Sequence, residues 1–565
     1  MNNKFITILS FLFISIVFAG AALAAPAVPD ISDAVKQAQP PIQTDKTDNN
    51  IPVIKQNEPE KVQRLDTGVR MYVKKFKIRG NNNIASEELL NIVNKEENLN
   101  KEYSYEELGQ IASTVTKYYR LKGYFVARAY FPKQDVVDSV IELDILEGYY
   151  GQFRLKNKSL VGDSTVQGML DDIKDKNIIS VNTIERAMLI INDTPGAVVS
   201  QAEVMPGSDI GTSDFLISTE ATKRYTGYAV YDNYGSRYTG KNRFMAGLNI
   251  NSPFALGDKI NLSAMTTDST GIINGGATYS MPLMYNGLRG ELSYARTNYE
   301  LGREYDSLDA DGTSDAITFA LDYPAVRTKL ENLTATADFS VKKNVDKINS
   351  TDSDTKKKLL SASFGLDYNK IYVFRGMQNS TAFKSSLTAG NVSFDDDESK
   401  AVDEAGADTN GVYSKIYAEF TQDTALTGRL SLTFKLKGQH SVNNKNLDGS
   451  EDISVGGSNG VRLFPSGEMS AENGYVMNIE TAYALPVFYN VSGRVGLFYD
   501  IASASMQKKV GTQPDRTIQD TGIGYYANYK NAFLKAEYAV LTGGTGVESE
   551  PEYKQKFLIQ GGLSF

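Results

Sequence analysis

The chain has 565 residues with no cysteine, no tryptophan and one histidine, against 33 tyrosines, 25 phenylalanines and 47 glycines. That composition removes disulfides, thiol nucleophiles, Cys-ligated zinc, iron–sulfur clusters and His-rich metal sites, so a cofactor-free protein that is not an enzyme is expected. A mean hydropathy of -0.32 excludes a polytopic helical membrane protein but not a barrel, whose alternating strands average out, and a formal net charge of -9 argues against a nucleic-acid partner.

Residues 1–24 read as a secretory signal: Lys4 ends a short positive region, 5–18 are apolar, and Ala22-Leu23-Ala24 is an A-x-A cleavage site. A mature chain starting near Ala25 is therefore expected outside the cytoplasm, and secretion without cysteines suits a bacterial envelope. An N-terminal segment (25–45) and a linker (46–70) are rich in Pro, Asn, Gln, Asp and Lys and cannot bury enough apolar surface to fold alone. Inside the first, 30–39 predicts a short helix, with Asp30 as N-cap and Pro40 as its stop.

From 71 to 224 the pattern runs twice in the same order. A strand at 73–78 leads to helices at 86–96 and 104–119, where Leu108, Ile111, Ala112, Val115 and Tyr119 recur at helical spacing. Strands at 125–131 and 140–146 close the first unit (71–149). The second unit (150–224) has a strand at 152–155, a helix near 164–173, and a helix from Asn182 with Ile184, Ala187, Met188 and Ile191 on one face. Strands at 198–204 and 214–219 follow, and Asn182 with Glu185 has capping-box spacing. Two copies of β-α-α-β-β are a scaffold and hold no catalytic constellation.

From 225 to 565 the helical period gives way to alternating strands punctuated by Gly, Asn, Asp and Ser. Along 429–439, Leu430, Leu432, Phe434, Leu436 and Gly438 share one face while Arg429, Ser431, Thr433, Lys435, Lys437 and Gln439 share the other. Such strands have one oily and one wet side, the pattern of a transmembrane antiparallel barrel. At roughly twenty residues per strand and loop, about sixteen strands are expected. On the last strand Tyr553, Phe557, Ile559, Gly561, Leu563 and Phe565 line one face, and a terminal strand ending in Phe is the usual assembly signal of bacterial outer-membrane barrels.

The mature chain resembles the transporter half of bacterial two-partner secretion, of the ShlB/FhaC/HecB type, within the superfamily of barrel-assembly proteins. The two α/β units are similar to POTRA domains, and Pro206 to Asp214 resembles the segment that ends the second one. Asp232-Asn233-Tyr234-Gly235-Ser236-Arg237-Tyr238-Thr239-Gly240, at the start of the barrel, is the most specific match. Val461-Arg462-Leu463-Phe464 resembles the family's Val-Arg-Gly-aromatic loop tip, and Phe498-Tyr499-Asp500 its Phe-x-Asp strand motif. Two positions depart: Leu463 and Ala502 stand where the family has Gly, and a left-handed backbone at 463 would be disfavoured for Leu. On 495–501, Val495, Leu497, Tyr499 and Ile501 alternate with Gly496, Phe498 and Asp500, so Asp500 is expected to face the lumen and receive Arg462. Exchanging the two charges is expected to recover part of what breaking the pair loses.

The resemblance implies a translocator that recognises an unfolded secreted protein through its POTRA domains and exports it through the barrel without nucleotide hydrolysis. It further implies POTRA domains in the periplasm and a helix at 30–39 able to plug the pore. The expected partners are a large β-helical exoprotein (haemolysin, adhesin or haem-acquisition protein), outer-membrane lipid, the barrel-assembly machinery and periplasmic chaperones. The rival reading is a factor that inserts other barrels; a general porin does not explain 71–224. Three other motifs carry no chemistry. Gly456 to Gly460 matches G-x-S-x-G but lacks a helix pattern and a following His. His440 reads as a strand-end residue, and Asp395-Asp396-Asp397-Glu398 as a solvated loop.

Overall fold

The computed structural model of the chain describes residues 29–38, 50–56, 70–95, 98–174, 178–509, 515–550 and 553–565. The signal at 1–24 and much of the two N-terminal stretches lie outside these residues.

In the first unit, helices α2 (Ser86–Val93) and α3 (Tyr105–Leu121) pack on a sheet ordered Lys75–Arg79, Val140–Leu146, Arg128–Tyr130. Helix α3 starts on a capping box: the Ser104 Oγ accepts the Glu107 N–H at 3.2 Å, and Glu107 Oε2 accepts the Ser104 N–H at 2.7 Å. The strand expected at 73–78 is broken at Lys74. Val73 and Phe76 are both fully buried, and residues three apart cannot share one face of a period-two strand without a bend. The piece before the bend, Arg70–Val73, pairs instead with Lys101–Ser104. The strand expected at 125–131 shortens to Arg128–Tyr130.

The second unit has α4 (Asp163–Asp171) and α5 (Val181–Asn192) over strands Tyr149–Lys158, Ala197–Pro206 and Thr212–Ala221. Its core joins Val166, Leu170, Ile184, Met188, Phe215 and Ile217. Helix α5 is capped by Ser180, whose side chain accepts from the Thr183 N–H, and not by an Asn182–Glu185 box. Glu185 is turned outward to Lys329 of a barrel turn, 3.0 Å away. Beside it Arg327 grips Asp193 through Nε and Nη2 at 2.6 and 2.7 Å, and Arg186 donates to the Pro324 carbonyl at 2.6 Å. These contacts fasten the second unit to the near rim of the barrel.

Sixteen antiparallel strands, from Tyr225–Asp232 to Gln555–Ser564, close the barrel. Side chains alternate: Leu436 is 40% exposed outside while Gln439 is buried inside. Strand lengths are uneven, 8 and 9 residues for the first two and 22 for Ser353–Phe374 on the far side. Arg375 and Gly376, both with positive φ, turn that longest strand back as a two-residue hairpin, the geometry that matches strand twist. His440 sits on the outer face of Leu430–Ser441, opposite Ile416. The acidic run starts an exposed helix, α6 (Asp397–Ala405), with Asp396 as its N-cap.

The seam joins first and last strands through the register Tyr228↔Ser564 to Asp232↔Gln560. Beyond it Asn233 continues the ladder with its side chain: Oδ1 accepts the Ile559 N–H at 2.8 Å and Nδ2 donates to the Phe557 carbonyl at 3.0 Å. At the other end the Phe565 N–H and carbonyl pair with Gly227 at 3.0 and 3.1 Å. Phe557, Leu563 and Phe565 are each more than half exposed on the outer face, with Ile559 on the same side by parity.

Candidate functional site in the barrel lumen

Two elements fill the lumen from opposite parts of the sequence. The first is helix α1 (Ile31–Gln37), which ends before the predicted 39. Asp30 caps it, accepting from the Ser32 and Asp33 N–H groups. Ile31 and Ala34 are buried against Val230, Met245, Met265, Ile272 and Tyr299 of the wall. The wall also holds both ends: Asp346 Oδ1 accepts the Ile31 N–H at 2.8 Å, and the Arg243 Nη1 donates to the Gln37 carbonyl at 2.7 Å. A cation at a helix C-terminus meets unpaired carbonyls and the negative end of the dipole. Arg243 is aimed by Asp232, which it grips at 2.7 and 2.8 Å. The polar face of α1 borders a cavity of about 340 Å³ that also touches Asp452, Glu468 and Arg516.

The second element is the loop 453–472. Ile453–Ser454 pairs with Ser470–Ala471, and the tip between them turns into the lumen. Val461, Leu463 and Phe464 are each at most 1% exposed, packed with Val455, Val476, Phe498, Ala502 and Ile518. The backbone of Leu463 is not left-handed; the positive φ values in this loop belong to Gly457 and Gly467. Leu463 therefore costs no strain where the family has Gly, and its side chain fills the core. Ala502, fully buried in the same cluster, adds a methyl to that packing. Ser458 of the G-x-S-x-G match lies in this loop, where Gly456 bridges Val461, and no helix follows.

Arg462 stands at the centre of a carboxylate cage. Its Nε is 3.2 Å from Asp500 Oδ2, its Nη2 3.0 Å from Glu480 Oε2 and its Nη1 2.9 Å from Glu537 Oε1. The guanidinium carbon lies 3.9 Å from the Phe498 ring centre, a cation–π contact. The structure thus brings Val461, Arg462, Leu463, Phe464, Phe498 and Asp500 into one site, while Phe557, Ile559, Leu563 and Phe565 lie away from it on the outer wall.

Several members were not foreseen. Asp520 pairs in register with Asp500 and its Oδ2 accepts the Leu463 N–H at 2.6 Å. Asn478 Nδ2 donates to both Asp500 Oδ1 and the Gly460 carbonyl, each at 2.8 Å. Tyr234 donates to Glu537 Oε2 at 2.7 Å, Tyr526 donates to Glu480 Oε2 at 2.8 Å, and Lys535 stands 3.1 Å from Glu537. The signal available was parity: Glu480 with Asn478, and Glu537 with Lys535, are inward positions two apart on strands whose outward positions are mostly apolar. The stretch 232–240 also gains a physical reading, since Asn233 closes the seam and Tyr234 reaches the cage. Ser236 N–H and Thr239 Oγ1 donate to Gln37 Oε1 at 3.3 and 3.0 Å. One short segment ties seam, cage and helix together.

The arrangement fastens two elements, α1 and the loop 453–472, to the barrel wall. The profile of the haemolysin secretion/activation proteins ShlB/FhaC/HecB matches residues 211–513, more than half of the chain, and that of the ShlB-type POTRA domain matches 71–148. The heme/hemopexin transporter protein HuxB of Haemophilus influenzae is 25% identical over 465 residues, 81% of each chain. The outer membrane transporter CdiB of Dickeya dadantii is 26% identical over 416 residues, 70% of each. Among solved structures, CdiB from Escherichia coli superposes with a TM-score of 0.70 at 18% identity over 95% of both chains. BamA from Haemophilus ducreyi lacking POTRA domains 1–3 reaches 0.50 at 14% identity over 88% of this chain and 100% of that one. The match to a secretion family over the barrel, with transporter relatives, favours translocation over barrel assembly. The chain belongs to the ShlB/FhaC/HecB family of haemolysin secretion/activation proteins, outer-membrane transporters of two-partner secretion with POTRA domains in the periplasm.

Proposed function

We propose that the chain exports a large β-helical exoprotein of the haemolysin, adhesin or haem-acquisition class, captured unfolded in the periplasm and released at the cell surface. The observation that carries this reading is the lumen itself, occupied by two elements that are not part of the barrel wall and are held to it by buried apolar packing together with ion pairs and hydrogen bonds. Helix α1 leaves during transport, while the loop 453–472 stays in its working position through Arg462 and Asp500. The inward residues Lys435 and Lys437 keep the path wet; Arg429, expected on the same face, lies in the turn before the strand Leu430–Ser441 and donates to the outward Tyr483 hydroxyl at 3.5 Å. No nucleotide is required, because a substrate that folds outside cannot return. Capture proceeds by β-augmentation, an extended segment of the substrate adding to a POTRA strand edge. The outward row Phe557, Ile559, Leu563 and Phe565 is the signal that the barrel-assembly machinery reads after periplasmic chaperones deliver the chain.

Similarity to HuxB, a heme/hemopexin transporter protein, supports the haem-acquisition class first. Deleting 26–45 tests the plug: single-channel conductance in planar bilayers rises if α1 blocks the pore. Unchanged conductance refutes it.

A further inference from the structure

The sheet of the second POTRA unit has four strands, and the fourth is supplied by the linker. Lys55–Gln56 pairs in parallel with the edge strand Ala197–Pro206, Lys55 opposite Glu203 and Gln56 opposite Val204. Upstream, Ile51 and Ile54 pack against the core of that unit. Asn192, at the end of α5, bridges the two: its Nδ2 donates to the Asn50 carbonyl at 3.0 Å and its Oδ1 accepts the Val199 N–H at 2.7 Å.

The two edges of this sheet differ. Tyr149–Lys158 carries Arg154, Lys156 and Lys158 and a register break after Tyr150, features that keep other strands away. Ala197–Pro206 carries no basic residue and a single charge, Glu203. It is the edge open to a strand, and the chain covers it with its own residues 50–56. Among the described residues the cover is a two-residue ladder and two isoleucines, and it is tethered: a linked segment acts at an effective concentration of about a millimolar.

We infer that the edge Ala197–Pro206, with the Asn192 side chain at its mouth, is the docking strand for an extended, apolar-alternating segment of the exported protein, added in parallel. Residues 50–56 are its resident competitor. The inference rests on the secretion reading and deepens it. An incoming segment must displace the linker, and that linker is continuous in sequence with α1. Occupation of the edge and release of the linker are one event.

The chain has no cysteine, so Lys55→Cys with Glu203→Cys gives a single disulfide. Parallel partners about 4.8 Å apart lie within disulfide reach. The probe is a fluorescent synthetic peptide of residues 48–58, titrated onto the full-length protein in detergent. A chain with Ile51→Asp and Ile54→Asp, which frees the edge, is expected to bind it at least tenfold more tightly than the unaltered chain. The oxidised cysteine pair is expected to bind none, and reduction to restore binding. Equal binding by all three forms, no binding to the freed form, or failure of the disulfide to form overturns the inference. In cells, the oxidised pair is expected to lower export at least tenfold, reversed by reductant. Peptide binding as described with export unchanged by the lock overturns the edge's role in docking while export itself stands; absence of export from the unaltered chain would instead refute the secretion reading.

Discussion

Replacing Arg462 with alanine removes one cation that touches three carboxylates at 2.9–3.2 Å, with the side chain 10% exposed. What remains is Glu480, Asp500, Asp520 and Glu537 around a single ammonium, Lys535, and a loop tip held to the wall by the Leu463 N–H, the Gly460 carbonyl and its apolar packing, with no cation of its own. Breaking a buried pair from one side costs about 3–5 kcal/mol, chiefly through the uncompensated charge left behind. At 1.4 kcal/mol per tenfold, the docked state of the loop should lose a factor on the order of a hundred or more. Asp500→Asn leaves Arg462 two carboxylates and should cost about 1–3 kcal/mol. The exchange of Arg462→Asp with Asp500→Arg should now fail to recover function. A carboxylate at 462 would meet Glu480 and Glu537, which the sequence alone did not place there. The assay pairs hydrogen exchange over 453–472 with export of the secreted partner, using heat-modifiable gel mobility to show that the barrel still assembles. Loop protection within twofold of normal in Arg462→Ala, or an exchange variant that exports normally, would refute the argument.

Four further outcomes follow from the geometry. Leu463→Gly, which restores the family residue, should destabilise the loop by about 2–4 kcal/mol because a buried side chain is lost and no left-handed strain is relieved; increased loop protection would contradict this. Asn233→Ala removes two ladder-like hydrogen bonds at the seam, about 1 kcal/mol each, and should lower the temperature at which the folded gel band disappears; an unchanged temperature would contradict this. Arg243→Ala should raise the frequency of open-channel events in bilayers, since it removes the cation that holds the Gln37 carbonyl at the C-terminal end of α1; an unchanged open frequency would show that this contact does not hold the helix. Burial, then the neighbouring Asp30, pushes the Asp33 carboxyl up to about 7 despite Lys36. A raised folded value means that docking of α1 is favoured at low pH and loses this contribution as pH rises through 7, so channels should open more at pH 8 than at pH 5. Asp346, Asp452 and Glu468 also face this region, so Asp33→Asn serves as the control and should flatten the dependence.

Patterns with a short period were legible in the sequence; partners set by closure were not. The inward parity of Asp500 could be read from seven residues because strand alternation is local. Glu480 and Glu537 join Arg462 only once the four consecutive strands carrying Glu480, Asp500, Asp520 and Glu537 are in register, a long-range fact that no spacing encodes. Asn182 and Glu185 show the opposite failure: a valid local signal lost because Ser180 supplied a cap two residues earlier and Lys329 claimed the glutamate. The break at Lys74 was written in the three-residue step between two core residues, Val73 and Phe76, and was masked by an alternation that continued on either side. The pairing of Lys55–Gln56 left no trace at all, since a two-residue strand in polar sequence has no period to detect.

The uneven strand lengths have a consequence for the membrane. With about 3.3 Å of rise per residue and a tilt near 40°, an 8-residue strand stands roughly 20 Å tall and a 22-residue strand roughly 55 Å, against an apolar band of about 25 Å. Beside the seam the first strand falls a few ångströms short of the apolar band, and on the far side the wall rises well clear of the bilayer as a palisade. A polypeptide leaving such a slanted mouth finds water early on the low side and a standing surface on the high side. Its first turns outside are therefore steered toward the seam, and the direction of emergence is set by the scaffold before the cargo has any fold of its own.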